Sequence, residues 1–255
     1  MHSDIPNLRQ LLNFKYEQYA TPAFIASDPI QVPRMYSRKE DIEVAAFLTA
    51  TLAWGQRGQI VSHAKALLGA MGESPFEYVL RFRPEREDAL INFYYRTFNG
   101  TDCLALLNAL RLIYAHSGGL HRVFAEGYKR TGQVQIALHH FRTVLINENF
   151  PARTRKHIPD VMSGSAAKRL NLFLRWMVRP STEGVDFGLW DDIPISALML
   201  PLDVHSGSTA RALGLLSRVQ TDWRAVEEVT QNLRTFDPSD PIKYDFALFG
   251  MGAME

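Results

Sequence analysis

The amino-acid sequence predicts an all-α protein, and three observations lead to that prediction. Apolar residues recur at intervals of three and four along most of the 255-residue chain, which is the spacing of one helix face. Segments with the alternating pattern of a β-strand are scarce, and most of the 13 prolines fall between helical segments. Hydrophobic residues make up 46% of the chain, which is enough to form a buried core.

Individual helices are located by their apolar stripes. Five stripes at helical spacing lie between residues 60–71, 104–114, 141–145, 170–177 and 223–233. Residues 81–99 are ambiguous, because they are rich in aromatic and charged side chains and contain Pro84.

Aspartates mark three helix starts in the last quarter of the chain. Asp203 precedes a predicted helix at residues 209–216, and Asp222 precedes the stripe that begins at Trp223. Asp240 followed by Pro241 is typical of an N-cap and a first helical position, and it predicts a last helix through Phe249.

No linker-like stretch divides the chain, so we expect one domain over residues 1–255. Two lobes are expected within it. One contains the middle helices, about residues 41–150, and the other combines the N-terminal segment with residues 151–255.

Composition excludes several classes of site. The single cysteine, Cys103, rules out a disulfide framework, a four-cysteine zinc site and a four-cysteine iron–sulfur cluster within the chain. The N-terminus has no signal-peptide pattern and no apolar run is long enough to span a bilayer, so we expect a cytoplasmic protein without a membrane partner.

Charge is unevenly distributed although the net charge is only +1. Residues 151–180 contain seven Lys and Arg against one acid, whereas residues 181–203 contain five acids and no Lys or Arg. A basic block of this kind is typical of a nucleic-acid-binding surface, and it is equally typical of a solvated helix face beside an acidic loop.

A short polar turn inside the basic block is a candidate phosphate site. Ser163, Gly164, Ser165 and Ala166 lead directly into a predicted helix that starts near Lys168. Backbone N–H groups at such a turn, with the helix dipole, suit a phosphate, and Gly164 can adopt the positive φ that a close approach requires. An ordinary helix-capping turn would have the same sequence.

Asp203 is a candidate functional carboxylate because it follows the apolar run 198–202 directly. It is either a simple N-cap or an ionised, partly buried carboxylate at a cleft, and the two roles are compatible. His205 is either a structural histidine or a partner of this carboxylate.

These residues together resemble the helix-hairpin-helix DNA glycosylase and AP lyase superfamily, nearest the 8-oxoguanine glycosylase branches. Leu202-Asp203-Val204-His205 followed by the segment 211–215 is similar to its aspartate signature, and the segment 163–168 is similar to its Pro-Gly-x-Gly-x-Lys hairpin, with Lys168 at the lysine position. The segments 45–60 and 244–250 resemble an N-terminal helix with a polar loop and a helix after the aspartate. The chain also resembles an uncharacterised bacterial family of conserved hypothetical proteins.

The resemblance implies a fold of two helical lobes with a cleft between them and a function in base-excision repair. Lys168 would be the nucleophile and Asp203 the carboxylate that stabilises positive charge on the sugar. The partner would be double-stranded DNA carrying a damaged base, which the protein would flip out of the helix as a monomer. This chemistry needs no cofactor and no metal.

The resemblance also assigns roles in DNA contact. The backbone would be held by the hairpin and its neighbours, which are Arg153, Arg155, Lys156, Ser163, Gly164, Ser165, Ala166 and Arg169. The base pocket or the wedge that fills the vacated space would involve Trp54, Gln56, Arg57 and His205, with the aromatic residues Trp190, Phe246 and Phe249 as further pocket candidates.

Three departures from the superfamily pattern are visible. The hairpin has a glycine at position 164 and an alanine at position 166, where relatives usually have two glycines. Lys168 and Asp203 are 35 positions apart, a long spacing that the archaeal 8-oxoguanine glycosylase branch shares. Ser208 stands where many relatives have an arginine.

Two other functions remain open at the level of sequence. A non-catalytic DNA-binding module would use the hairpin without turnover, and it predicts that Lys168 and Asp203 lie far apart. A helical interaction protein without a nucleic-acid role predicts no salt-dependent DNA binding.

Overall fold

The computed structural model describes residues 5–84, 88–180 and 184–253, and within them it confirms the all-α prediction. The α-helices, in chain order, are α1 (Ile5–Tyr19), α2 (Pro22–Ile25), α3 (Lys39–Thr51), α4 (Arg57–Ala70), α5 (Pro75–Arg81), α6 (Asp88–Ile91), α7 (Gly100–His116), α8 (Gly119–Lys129), α9 (Val134–Leu145), α10 (Lys168–Val178), α11 (Val204–Ala212), α12 (Trp223–Phe236) and α13 (Tyr244–Ala253). Short 3-10 helices are found at Pro29–Gln31, Pro33–Met35, Ala152–His157, Ile195–Ala197 and Pro241–Lys243.

A single small sheet is present in the described ranges. Strands β1 (Tyr94–Tyr95) and β2 (Phe98–Asn99) pair antiparallel, and Tyr95 lies opposite Phe98. This hairpin falls in the segment whose sequence was ambiguous, and it leads directly into α7.

The chain forms two compact units. One comprises Met1–Ala26 with Val161–Glu255, and the other comprises Ser27–Asp160. The first unit therefore contains α1, α2 and α10–α13, and the second contains α3–α9 and the β-hairpin.

In the unit that contains α10–α13, helix α13 packs against both α1 and α11. Glycines make this close approach possible. A Cβ added at Gly250 would lie 2.2 Å from the ring of Tyr19, and one added at Gly252 would lie 2.6 Å from the Thr209 hydroxyl. Helix α10 adds a buried stripe to the same core, formed by Leu170, Phe173, Leu174 and Met177.

The other unit is built around α7, which packs against α5, α8 and α9, while α3 packs against α4 and α5. Its core includes Phe124 stacked on Phe141, with ring centroids 4.4 Å apart. No helix of the described residues is both long and apolar enough to cross a bilayer.

Two helices have boundaries that differ from the sequence-based prediction. The helix predicted at residues 209–216 begins earlier, at Val204, and ends at Ala212. It ends there because Gly214 has a φ of 71°, and the N–H groups of Gly214 and Leu215 donate to the carbonyls of Arg211 and Ala210, which is the Schellman arrangement. The helix predicted to open at Pro241 begins as a 3-10 turn and becomes α-helical at Tyr244.

Candidate functional site

Asp203 is the N-cap of α11, as predicted. Its Oδ1 accepts hydrogen bonds from the backbone N–H of Ser206 at 3.0 Å and from the Ser206 hydroxyl at 3.2 Å. The Ser206 Oγ in turn accepts the backbone N–H of Asp203 at 3.0 Å, which completes a capping box. The carboxylate is therefore held in one orientation, and its second oxygen, Oδ2, faces Lys168.

The hairpin before α10 is a tight turn fixed by its backbone. The Gly164 N–H donates to the Val161 carbonyl at 3.1 Å, and the φ of Gly164 is 89°, the positive region expected for this glycine. The Gly164 carbonyl accepts from the Trp223 N–H at 2.9 Å, so the turn is attached to the start of α12.

A second left-handed residue follows in the same turn. Ala167 has a φ of 48° and is the N-cap of α10 without a side-chain capping bond; its N–H donates to the Ser165 hydroxyl at 3.3 Å. A left-handed conformation is strained for alanine, and such strain is concentrated at functional sites. Because Ala167 is the N-cap, Lys168 is the first residue of α10.

Lys168 and Asp203 meet although they are 35 positions apart in the sequence. Lys168 Nζ lies 3.5 Å from Asp203 Oδ2, and the two side chains are 31% and 17% exposed. Both residues are at helix N-termini, where the backbone carries partial positive charge that favours a carboxylate or a bound anion. One amine and one oriented carboxylate thus share a partly solvated position at the ends of α10 and α11.

A buried ion-pair network lies further along α10. Arg175 contacts Asp186 (Nε–Oδ1, 3.2 Å) and Asp245 (Nη1–Oδ2, 2.5 Å). Arg179 contacts Asp186 (Nη1–Oδ2, 3.1 Å) and Asp240 (Nε–Oδ2, 2.8 Å). Both arginine side chains are only 3% exposed, which is feasible because each guanidinium has carboxylate partners.

This network corrects the interpretation that the whole basic block, residues 151–180, forms a nucleic-acid-binding surface. Arg175 and Arg179 belong to the basic block and Asp186 to the acidic one, and they pair with each other in the interior. These two arginines therefore cannot hold a DNA backbone.

Asp245 is a site residue that the sequence-based reasoning missed. It lies in the first turn of α13, is 5% exposed, and is within electrostatic range of both Asp203 and Lys168. Burial, with the nearby Asp203 charge, raises the pKa of Asp245 to about 6, against the opposing effect of Arg175. The sequence feature that could have identified Asp245 is its position as the one acidic residue in the apolar run 244–249.

The remaining cations of the predicted DNA surface have different environments. Arg155 and Lys156 are exposed in the 3-10 helix before the hairpin. Arg153 pairs with the fully buried Asp102 at 3.1 Å, which gives it a structural partner. Desolvation lowers the pKa of Arg169 to about 10, so this side chain is not a freely solvated cation.

Three of the four residues predicted for the base pocket or wedge, Trp54, Gln56 and Arg57, are in the unit that contains α3–α9, and His205 is in the other unit. Trp54 and Gln56 are in the loop between α3 and α4, and Arg57 is the first residue of α4. The Trp54 ring stacks on His157 with centroids 5.9 Å apart, and its carbonyl accepts the Tyr95 hydroxyl. The Gln56 side chain is exposed and Arg57 contacts the Ser27 hydroxyl at 3.5 Å.

The other pocket candidates are in the unit with Lys168 and Asp203. His205 is exposed and lies against α13, with Nδ1 3.1 Å from the Gly252 carbonyl and its ring edge-on to Phe249. Trp190 packs on Phe173, and Phe246 packs on Phe24 and beneath the Arg175 guanidinium. Trp190 and Phe246 are almost fully buried, so these two are core residues.

Comparison with known proteins gives a family without an assigned activity. No curated protein and no solved structure matches the chain significantly. The second resemblance seen in the sequence, to an uncharacterised family, agrees with the family comparison. The chain belongs to the family described as protein of unknown function (DUF2400), whose model matches residues 28–254.

Proposed function

We propose that this protein is a DNA base-excision glycosylase with an associated lyase activity. The observation that carries the proposal is the 3.5 Å contact between Lys168 Nζ and Asp203 Oδ2 at the N-termini of two helices. A DNA-binding module without catalysis has no need of this contact. Wide separation of Lys168 and Asp203 would have favoured such a module.

The pair has the groups that glycosidic cleavage requires. The Lys168 ammonium would first lose one proton to solvent. The neutral amine would then attack the sugar carbon, so that a carbon–nitrogen bond forms while the bond to the base breaks, and the ionised carboxylate of Asp203 would stabilise the positive charge that develops on the sugar. Asp203 would then carry the second proton of the attached nitrogen to the departing base, which leaves the carboxylate ionised again. The sugar ring would open as its carbon–oxygen bond breaks and the ring oxygen takes a proton from solvent, and the nitrogen would form the Schiff base that permits strand cleavage.

The hairpin supports DNA as the substrate. Nothing lies within 4 Å of a Cβ built at Gly164, so a phosphate can approach this turn without a steric clash, while the Gly164 N–H itself is bonded to the Val161 carbonyl. The exposed Arg155 and Lys156 precede it in the chain and would contribute non-specific, salt-dependent affinity.

A strand-cleavage assay tests the proposal. Duplexes containing an abasic site or one of a panel of oxidised bases are incubated with the wild-type protein and with Lys168→Ala and Asp203→Asn. We expect cleavage of at least one duplex and its loss in both variants.

The chain offers matched controls for both substitutions. Lys243 and Asp237 form another Lys–Asp pair in the same unit, with Nζ 2.6 Å from Oδ2. Lys243→Ala and Asp237→Asn should leave cleavage unchanged. Full activity in both Lys168→Ala and Asp203→Asn would remove the assigned roles, and salt-dependent binding to every duplex without cleavage would point to a binding module.

A further inference from the structure

Three segments of the unit that contains α3–α9 converge on one surface. They are the loop between α3 and α4, the β-hairpin, and the 3-10 helix that follows α9. The Tyr95 hydroxyl donates to the Trp54 carbonyl, which joins the β-hairpin to the loop. Arg153 Nη2 donates to the Thr97 carbonyl at 3.4 Å, which joins the 3-10 helix to the β-hairpin. Because His157 in the same 3-10 helix stacks on Trp54, all three segments contact one another.

The three segments bring cations together without acids of their own. They contain six Lys and Arg and no Asp or Glu over residues 44–72, 89–101 and 149–159. Asp102, which follows the second of these ranges, is fully buried and pairs with Arg153. Arg155 and Lys156 are exposed, and neither has an ion-pair partner among the residues that the structure describes. The solvent-facing charge of these segments is therefore positive, which favours a polyanionic partner.

Arg96 extends this positive charge to the turn of the β-hairpin. Tyr95 lies opposite Phe98, so Arg96 and Thr97 form a two-residue turn. The φ of Arg96 is 55°, and a positive φ at the first position of such a turn is ordinarily found with glycine. A left-handed conformation is strained for arginine, so the turn itself gives no reason for this side chain.

Gly55 makes room for the Arg96 side chain. Its φ is 98°, and a Cβ added there would lie 2.7 Å from Arg96 Nη1. The guanidinium therefore lies against the backbone of the loop between α3 and α4, which also contains the exposed Gln56. In the part of the chain that the structure describes, Arg96 has no hydrogen-bond or ion-pair partner. An exposed guanidinium in this state is suited to an anionic oxygen of a ligand.

We propose that Arg96, Arg155 and Lys156 form a surface that binds the DNA backbone, with the Arg96 guanidinium donating to a phosphate. Duplex DNA carries one negative charge about every 1.7 Å along its axis, so cations on separate segments each find a phosphate whatever the base sequence. The choice of DNA as the polyanion rests on the proposed function. The surface itself does not, because it belongs to the unit without the Lys168–Asp203 pair and its test requires no cleavage.

Fluorescence anisotropy with a labelled, undamaged duplex of about 20 base pairs tests the inference over a range of salt concentrations. The logarithm of the binding constant should fall linearly with the logarithm of the salt concentration. Arg96→Gly should reduce this slope by about 0.9, the contribution of one phosphate contact, which corresponds to about eightfold weaker binding at about 0.1 M salt. The variant should fold, because glycine is the residue that the turn favours.

Two matched variants and one competitor separate this contact from general charge effects. Arg96→Lys keeps the charge and should keep the wild-type slope. Arg130→Ala removes an exposed arginine at the C-cap of α8 in the same unit, and it should leave slope and affinity unchanged. Polyglutamate stands for an acidic protein segment as the partner. At an equal concentration of negative charge it should displace the labelled duplex less effectively than unlabelled duplex does.

The inference is overturned if the wild type does not bind the duplex, if Arg96→Gly keeps the wild-type slope, if Arg130→Ala lowers the slope equally, or if polyglutamate competes as well as DNA. Should Arg96→Gly not fold, Lys156→Ala decides by the same measurements. An unchanged slope in Arg96→Gly alongside cleavage of damaged duplexes by the wild type removes only this surface. A reduced slope without cleavage of any damaged duplex removes only the glycosylase proposal.

Discussion

Replacing Asp245 with asparagine should stabilise the protein at neutral pH. Its folded-state pKa of about 6 lies above the ordinary value of 3.8, so the folded state binds the proton more tightly than the unfolded state. The associated stability is complete below about pH 3.8 and is lost as the pH rises through about 6. The difference between the folded and unfolded pKa of Asp245 corresponds to about 3 kcal/mol in the free energy of unfolding.

Asparagine resembles the neutral carboxyl at every pH. The Asp245→Asn variant therefore does not lose stability as the pH rises through about 6. We expect the variant to equal the wild type near pH 4 and to exceed its free energy of unfolding by up to about 3 kcal/mol near pH 7. Urea unfolding followed by tryptophan fluorescence measures this, since Trp176, Trp190 and Trp223 lie in the same unit as Asp245.

Asp237→Asn is a control of opposite sign. Burial is the largest single effect and raises the pKa of Asp237. The hydrogen bond and charge of Lys243, with the backbone N–H groups of Asp240 and Ser239, together outweigh burial, so the net pKa is lowered. Wild-type protein should therefore be more stable than Asp237→Asn near pH 7, with the difference disappearing as the pH falls. A pH-independent difference for Asp245→Asn, or a variant less stable than wild type at neutral pH, would refute the reasoning.

Four further substitutions test the fold, each by urea unfolding. Gly250→Ala should destabilise the protein by about 1–3 kcal/mol because the added methyl overlaps the Tyr19 ring. Its control, Gly69→Ala in α4, has open space around the added methyl and should stabilise the protein by up to about 1 kcal/mol. Equal effects of the two substitutions would contradict the packing of α13 against α1. Gly164→Ala should cost about 1 kcal/mol through its positive φ alone, since no atom lies within 4 Å of the added Cβ, and an unchanged stability would show that the turn is not left-handed. Arg175→Met should cost about 3–5 kcal/mol because it leaves two carboxylates in the interior without this partner, and a neutral effect would contradict the buried network.

The fold class was predictable because apolar periodicity is a local property. Each stripe in the sequence coincides with a helix of the structure, although Met71, the last residue of the first stripe, is the C-cap of α4. Asp222 caps α12 as expected, with its carboxylate accepting the Ala225 N–H. The end of α11 was also encoded locally, in Gly214, although the predicted helix ran past it.

The candidate site was only partly predictable. Lys168 and Asp203 were found through the resemblance, and their side chains meet. Asp245 was missed because its partner Arg175 lies 70 positions away, and pairing over such distances leaves no local pattern. For the same reason, charge counts along the chain could not reveal that the basic and acidic blocks partly neutralise each other in the core.

The identity of the reacting amine is the central claim, and borohydride trapping tests it most directly. A duplex with an abasic site is incubated with the protein and sodium borohydride, and the covalent adduct is digested and located by mass spectrometry. The account predicts an adduct on Lys168 that disappears in Lys168→Ala and persists in Lys243→Ala, whose lysine also pairs with an aspartate. Strand cleavage without an adduct, or an adduct of undiminished yield in Lys168→Ala, would contradict it.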